Sequence, residues 1–91
     1  MSNLEKQFRK VKEAHPDSLL MFRLGDFYEM FFEDALNAAR ELCLEVIVRG
    51  RSLPAEDRAP MCSIPVSGSE KSIERLIAAG YKVATLEEEQ K

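Results

Sequence analysis

Residues 22–35, FRLGDFYEMFFEDA, set five aromatic rings among four carboxylates. Two kinds of chemistry suit such a mixture. Asp26, Glu29, Glu33 and Asp34 would bind Mg²⁺ for metal-assisted hydrolysis if their oxygens converged. Asp26 and Glu29, however, lie three residues apart. On an extended chain they point to opposite faces, and no lysine or histidine base stands within the cluster. The second chemistry needs only two residues. If residues 27–31 form a strand, Phe27 and Glu29 share one face, and Tyr28 points the other way. In a helix, residues two apart point to nearly opposite sides. A strand therefore puts one stacking surface beside one hydrogen-bond acceptor. At a sheet edge, Phe27 is then exposed, a poor arrangement for solubility that invites a functional reading.

Other reactive residues are sparse. His15 is the single histidine and Cys43 and Cys62 are the only cysteines, too few for a four-ligand zinc site. No cofactor and no enzymatic activity are expected. Cysteines without a C-x-x-C partner read as buried thiols of a reducing compartment. The chain has 91 residues, 45% hydrophobic and 32% charged, as in one soluble globular domain over 1–91. No apolar run approaches the roughly 18 residues of a membrane span. The N-terminus is polar and of mixed charge, unlike a signal peptide, so a cytoplasmic location is expected. Thirteen basic against sixteen acidic residues give a net charge of −3. That argues against gripping nucleic acid through bulk charge. It leaves room for a module that reads one local feature.

The elements that would position Phe27 and Glu29 follow from periodicity. Leu4, Phe8 and Val11 recur at helical spacing until Pro16 stops the helix. Residues 18–24 form a short apolar run, a buried strand. Gly25-Asp26 signals a tight hairpin turn, and residues 27–31 make the returning strand, with Tyr28, Met30 and Phe32 toward the core. Residues 33–42 predict a helix whose acidic start, Glu33-Asp34, suits the helix dipole. Ala35, Ala38, Ala39 and Leu42 give it a small-residue face. Leu44, Val46 and Val48 alternate with polar or exposed positions as a half-buried strand over 44–49. Residues 50–60 read as a mobile loop, and 61–65 as a strand. A helix opened by Ser67-Gly68-Ser69 carries Ile73, Leu76 and Ile77 on one face, with Gly80 as its left-handed cap. A strand over 81–86 follows. This strand–helix–strand unit predicts a right-handed crossover with the 61–65 and 81–86 strands paired in parallel. The acidic tail, 87–91, reads as solvated. The fold class is α/β (α+β): a small mixed β-sheet of about five strands flanked by about three helices.

Several of these segments resemble one family. LLMFRLGDFYEMFFEDALNAAREL resembles the N-terminal mismatch-recognition domain, domain I, of the MutS DNA mismatch repair family. That family's pattern runs strand, Gly-Asp-Phe-Tyr-Glu-Leu-Phe, acidic pair, alanine-rich helix. Arg49-Gly50 resembles its Lys/Arg-Gly step, PMCSIP its Pro-Met-Ala-Gly-Ile-Pro, and ERLIAAGYKVATLEE its closing helix and strand. The likeness covers about residues 5–88. Ser63 stands at the pattern's glycine, and Val66-Ser67 where Tyr-His or a similar pair is common.

The resemblance implies a DNA-binding function with defined roles. In the family, the Phe of Phe-x-Glu wedges into the duplex at a mispair from the minor groove, and the Glu hydrogen-bonds the mispaired base. By position these are Phe27 and Glu29. Unstacking costs a few kcal/mol per step, against roughly 1–3 kcal/mol from stacking on the ring. An intact pair adds its pairing energy to that cost; a mispair does not, so the ring finds deformable steps. Met61 and Ser63 occupy the segment that lies near the DNA backbone in the family, and with Arg49 they complete the candidate DNA-binding set. For Arg49 and Arg51, phosphate contact and a solvated loop remain equal readings. Tyr28, Phe31 and Phe32 are core positions, and Asp26 a turn cap. The implied partners are mismatched duplex DNA and other MutS domains or a MutS-like dimer, in a bacterial, nucleoid-associated setting. No Walker A sequence is present, so ATP binding would belong to a longer parent. The alternative is a protein-interaction or relic domain that has lost mismatch binding.

Overall fold

The computed structural model describes residues 3–50, 52–54 and 58–87. The Leu4 side chain, Arg51 and the tail beyond residue 87 lie outside the described residues. In order, the elements are α1 (Asn3–Ala14), β1 (Ser18–Leu24), β2 (Phe27–Phe31), α2 (Phe32–Leu42), β3 (Ile47–Arg49), β4 (Ala59–Pro65), α3 (Ser69–Ala78) and β5 (Lys82–Glu87). The sheet has five strands in the order β3-β4-β2-β1-β5. β5 runs parallel to β1, and every other neighbouring pair is antiparallel. Among the described residues this is the α+β architecture expected from the sequence.

Alternation along the strands sends side chains to two apolar layers. Leu19, Met21, Met30, Cys62 and Ile64 pack with Ala35, Ala38 and Ala39 of α2 and Leu76 of α3. Leu20, Phe22 and Phe31 pack on the opposite side with Phe8 of α1. The Phe8 ring lies 6.1 Å from Phe22 and 5.8 Å, edge-on, from Phe31, a range in which aromatic pairs attract. α1 therefore covers one end of this second sheet face. The alanines let α2 sit close on the first.

The β1–β2 hairpin turns through Gly25 and Asp26, with Leu24 opposite Phe27. Gly25 has φ +62, and Asp26 is not among the positive-φ residues, the pattern of a type II′ turn with glycine at its first central position. Val66 N–H donates to the Asp26 carbonyl at 2.8 Å, tying the turn to the end of β4. At Gly80, φ is +101. The Gly80 and Tyr81 amides bond back to Ile77 and Leu76, closing α3 in a Schellman motif.

Several expectations are corrected. β5 does not pair with β4; β2 and β1 stand between them. The two run in the same direction, but three strand spacings, about 14 Å, separate them. The connection between them runs through the ten-residue α3. The expected 44–49 strand shrinks to Ile47–Arg49, because Cys43 adopts a left-handed conformation and Leu44 N–H still caps α2 at Ala39. Pro60 belongs to β4 rather than to the loop. Ile77 is exposed, one 100° step past buried Leu76 and off the apolar stripe. Phe32 does not join Met30. Its φ of +55 turns the chain out of β2 and sends the ring toward Phe8, 5.6 Å away, beneath the Arg9 guanidinium.

Asp34 is more than a helix-dipole charge. It is buried, pairs with Lys12 at 2.9 Å, and accepts the Leu20 amide at 3.0 Å. Where β2 has turned away into α2, this carboxylate replaces the missing ladder partner of β1. The Lys12 ammonium also donates to the Ser18 carbonyl, so one ion pair joins α1, β1 and α2. The cysteines divide: Cys62 is buried and Cys43 exposed, and both are free thiols.

Candidate nucleic-acid interface

The sheet face that carries Phe8 is only partly covered. Three ladder rows cross it. Leu24, Phe27 and Pro65 form one, Phe22, Glu29 and Ser63 the next, and Phe31 and Met61 the third. α1 seals the Phe31 row. Beyond it the face opens as a cleft of about 310 Å³ lined by Leu24, Phe27, Glu29, Met61 and Ser63. Phe27 is 48% exposed at the hairpin end of this cleft. A larger cleft, between α1 and the start of α2, is lined by Phe8, Arg9, Lys12, Glu13, Phe32, Glu33 and Asp34. There the buried carboxylate is already held by Lys12 and Leu20.

The type II′ hairpin fixes Phe27 at the first residue of β2, and the two-residue period carries Glu29 to the same face. β4 then lies against β2 with Ser63 opposite Glu29 and Met61 opposite Phe31. Four of the five residues singled out from sequence thus converge: Phe27, Glu29, Met61 and Ser63. Arg49 does not line the cleft. It is exposed on β3, opposite Ala59, two residues beyond the Ile47–Met61 pair and so on the same sheet face. Sequence reasoning missed Leu24, 37% exposed. The signal was available, since a two-residue turn places its flanking residues directly opposite.

The acidic cluster does not converge. Asp34 is buried in its ion pair, and Glu33 and Asp26 are exposed and do not line the cleft that Glu29 lines. Among the described residues, no group of three or more histidine, cysteine or acidic side chains is placed to hold a metal ion. The cleft offers an apolar ring, one carboxylate and one hydroxyl. That set can stack on a flat ring and bond its edge.

A family model described as MutS domain I matches residues 2–91. The chain belongs to the MutS family. DNA mismatch repair protein MutS of Clostridium novyi is 53% identical over 88 residues, covering 97% of this chain and 10% of that protein. The Clostridium perfringens protein of the same name is 52% identical over 88 residues, with the same coverage. The one from Alkaliphilus metalliredigens is 50% identical over 91 residues, again covering 97% of this chain and 10% of its own length. The chain thus spans about a tenth of the curated MutS relatives it matches. Among the described residues, no helix is long and apolar enough to cross a membrane.

Proposed function

We infer that this MutS-family chain reads mispaired DNA, Phe27 entering the duplex at a mispair and Glu29 accepting a hydrogen bond from the displaced base. One observation carries the reading. A half-exposed phenylalanine and a carboxylate share an open cleft at a hairpin end, while the aromatics behind them are packed beneath α1. An exposed ring of this size gives the folded chain little stability; it gives a base a surface on which to stack. Glu29 supplies discrimination rather than affinity. Its anion repels phosphates and meets no free donor on an intact pair, whereas a mispaired base presents an N–H. Met61 and Ser63 extend the contact along β4, and Arg49 takes a phosphate on the same side. The reading contains no catalytic step.

The partners proposed are mismatched duplex and the remaining domains of a MutS protein or dimer, in the bacterial cytoplasm at the nucleoid. The net charge of −3 favours a second reading, an interaction module without DNA binding, because few cations remain for phosphates. Titration of the chain with short mismatched and matched duplexes, followed by amide NMR shifts, decides between them. Phe27→Ala should abolish the preference for the mismatched duplex. A wild-type chain whose β2 and β4 amides do not respond to either duplex would support the interaction module.

A further inference from the structure

We propose that Ser63 is a second base-reading group, and that with Glu29 it selects a mispaired base whose edge carries an N–H next to a carbonyl. Thymine and guanine have such edges. The proposal rests on the reading of Phe27 and Glu29 given above.

Glu29 and Ser63 are direct partners in the β2–β4 ladder. Opposed residues on one sheet face have Cβ atoms about 4.5–5.5 Å apart. Both line the open cleft beside Phe27. The neighbours Cys62 and Ile64 are buried in the opposite layer, so alternation commits Ser63 to the cleft. Among the described residues, no hydrogen bond or ion pair engages the Glu29 carboxylate or the Ser63 hydroxyl. The two polar groups at the cleft floor are thus unspent.

The chemistry of the pair is complementary. An ionised carboxylate only accepts; a hydroxyl also donates. Thymine offers N3–H flanked by two carbonyls, and guanine N1–H beside O6. Either can donate its N–H to Glu29 while its carbonyl accepts from Ser63. Held in that same pose, unprotonated adenine and cytosine place a ring-nitrogen lone pair where the N–H would be, facing the carboxylate, and an amino group where the carbonyl would be. Glu29 alone senses the N–H; Ser63 adds a test for the adjoining oxygen.

The test uses the 91-residue chain and three short duplexes carrying a central G·T mispair, an A·C mispair or none. Binding is followed by NMR or fluorescence anisotropy at pH 8, where the A·C bases are unprotonated. Wild type should favour G·T over A·C. Ser63→Ala should weaken G·T binding by about three- to tenfold, the size of one neutral hydrogen bond, and weaken binding to the other two duplexes by less. Ser63→Thr, which keeps the hydroxyl, should retain the G·T preference. An Ala variant that binds G·T as wild type does, or that loses affinity equally for all three duplexes, overturns the proposal, as does a Thr variant without the preference. Phe27→Ala separates the two levels. If it abolishes mispair preference while Ser63→Ala changes nothing, only the Ser63 assignment falls. If it leaves mispair preference intact, the underlying reading fails.

Discussion

Phe27 and Phe31 point from the same face of β2, four residues apart, yet Phe31 is fully buried beneath α1 and Phe27 is 48% exposed. One strand face thus holds a core anchor at one end and a free ring at the other. The boundary is where α1 stops covering the sheet.

That boundary predicts opposite outcomes for the same truncation. Phe31→Ala removes a fully enclosed ring and should cost about 3–5 kcal/mol. Phe27→Ala should change stability by less than about 1 kcal/mol, as surface substitutions do. Urea unfolding of both variants measures the difference. A Phe27→Ala chain that melts as far as Phe31→Ala would make the stretch a core hairpin with a solvated acidic end.

Glu29→Ala should act on discrimination from the other side. Removing an unpaired anion from the groove should raise affinity for matched duplex, with the folded chain as stable as before. Matched-duplex titrations of wild type and variant provide the comparison. Unchanged matched-duplex affinity would rule out the repulsive role of Glu29.

DNA binding by this chain alone should be weak, with a shallow salt dependence. With 13 basic and 16 acidic residues, few phosphates can be neutralised, and a log–log slope of roughly one to three follows. Titrations from low to moderate salt give the slope directly. Tight binding to ordinary duplex with a steep slope would contradict this account of the charge.

The Lys12–Asp34 pair should be a sensitive polar link. Asp34→Ala strips the acceptor from the buried Leu20 amide and leaves the Lys12 ammonium, only partly exposed, without its counterion. A loss of about 2–4 kcal/mol is expected, somewhat below that of a wholly buried pair. Chemical denaturation of Asp34→Ala beside Glu33→Ala, whose carboxylate is exposed, isolates the effect.

The two thiols should differ in reactivity and in their effect on stability. Burial pushes the Cys62 thiol from 9.0 to about 11, and its Sγ–H donates to the Ala35 carbonyl at 3.4 Å. The folded state therefore favours the protonated thiol. This contribution is fully present below about pH 9 and is lost as pH rises through about 11. Wild type should lose stability across that window more steeply than Cys62→Ala. A thiol reagent should label Cys43 in the folded chain and reach Cys62 only on unfolding.

Much of the site was legible locally. The Gly25-Asp26 turn, the period-two alternation of β2 and the alanine face of α2 follow from contacts within a few residues. They are enough to put Phe27 and Glu29 on one side of a strand. Residues 44–46, Phe32 and Ile77 were misread. Helix capping by Cys43, a left-handed turn at Phe32 and the end of the buried stripe on α3 depend on how the chain must leave one element to reach the next.

The sequence by itself determined the element types, the shared face of Phe27 and Glu29, and membership in a family whose motifs it carries in order. Only the tertiary structure decided that β4 lies against β2, bringing Met61 and Ser63 to Phe27 and Glu29, and that β5 docks on β1. It alone decided that α1 stops short of Phe27 and that Asp34 completes the β1 ladder. Periodicity is a property of neighbouring residues and survives in any context. Strand order, register and coverage depend on which distant apolar faces are buried together, and no local pattern encodes that choice.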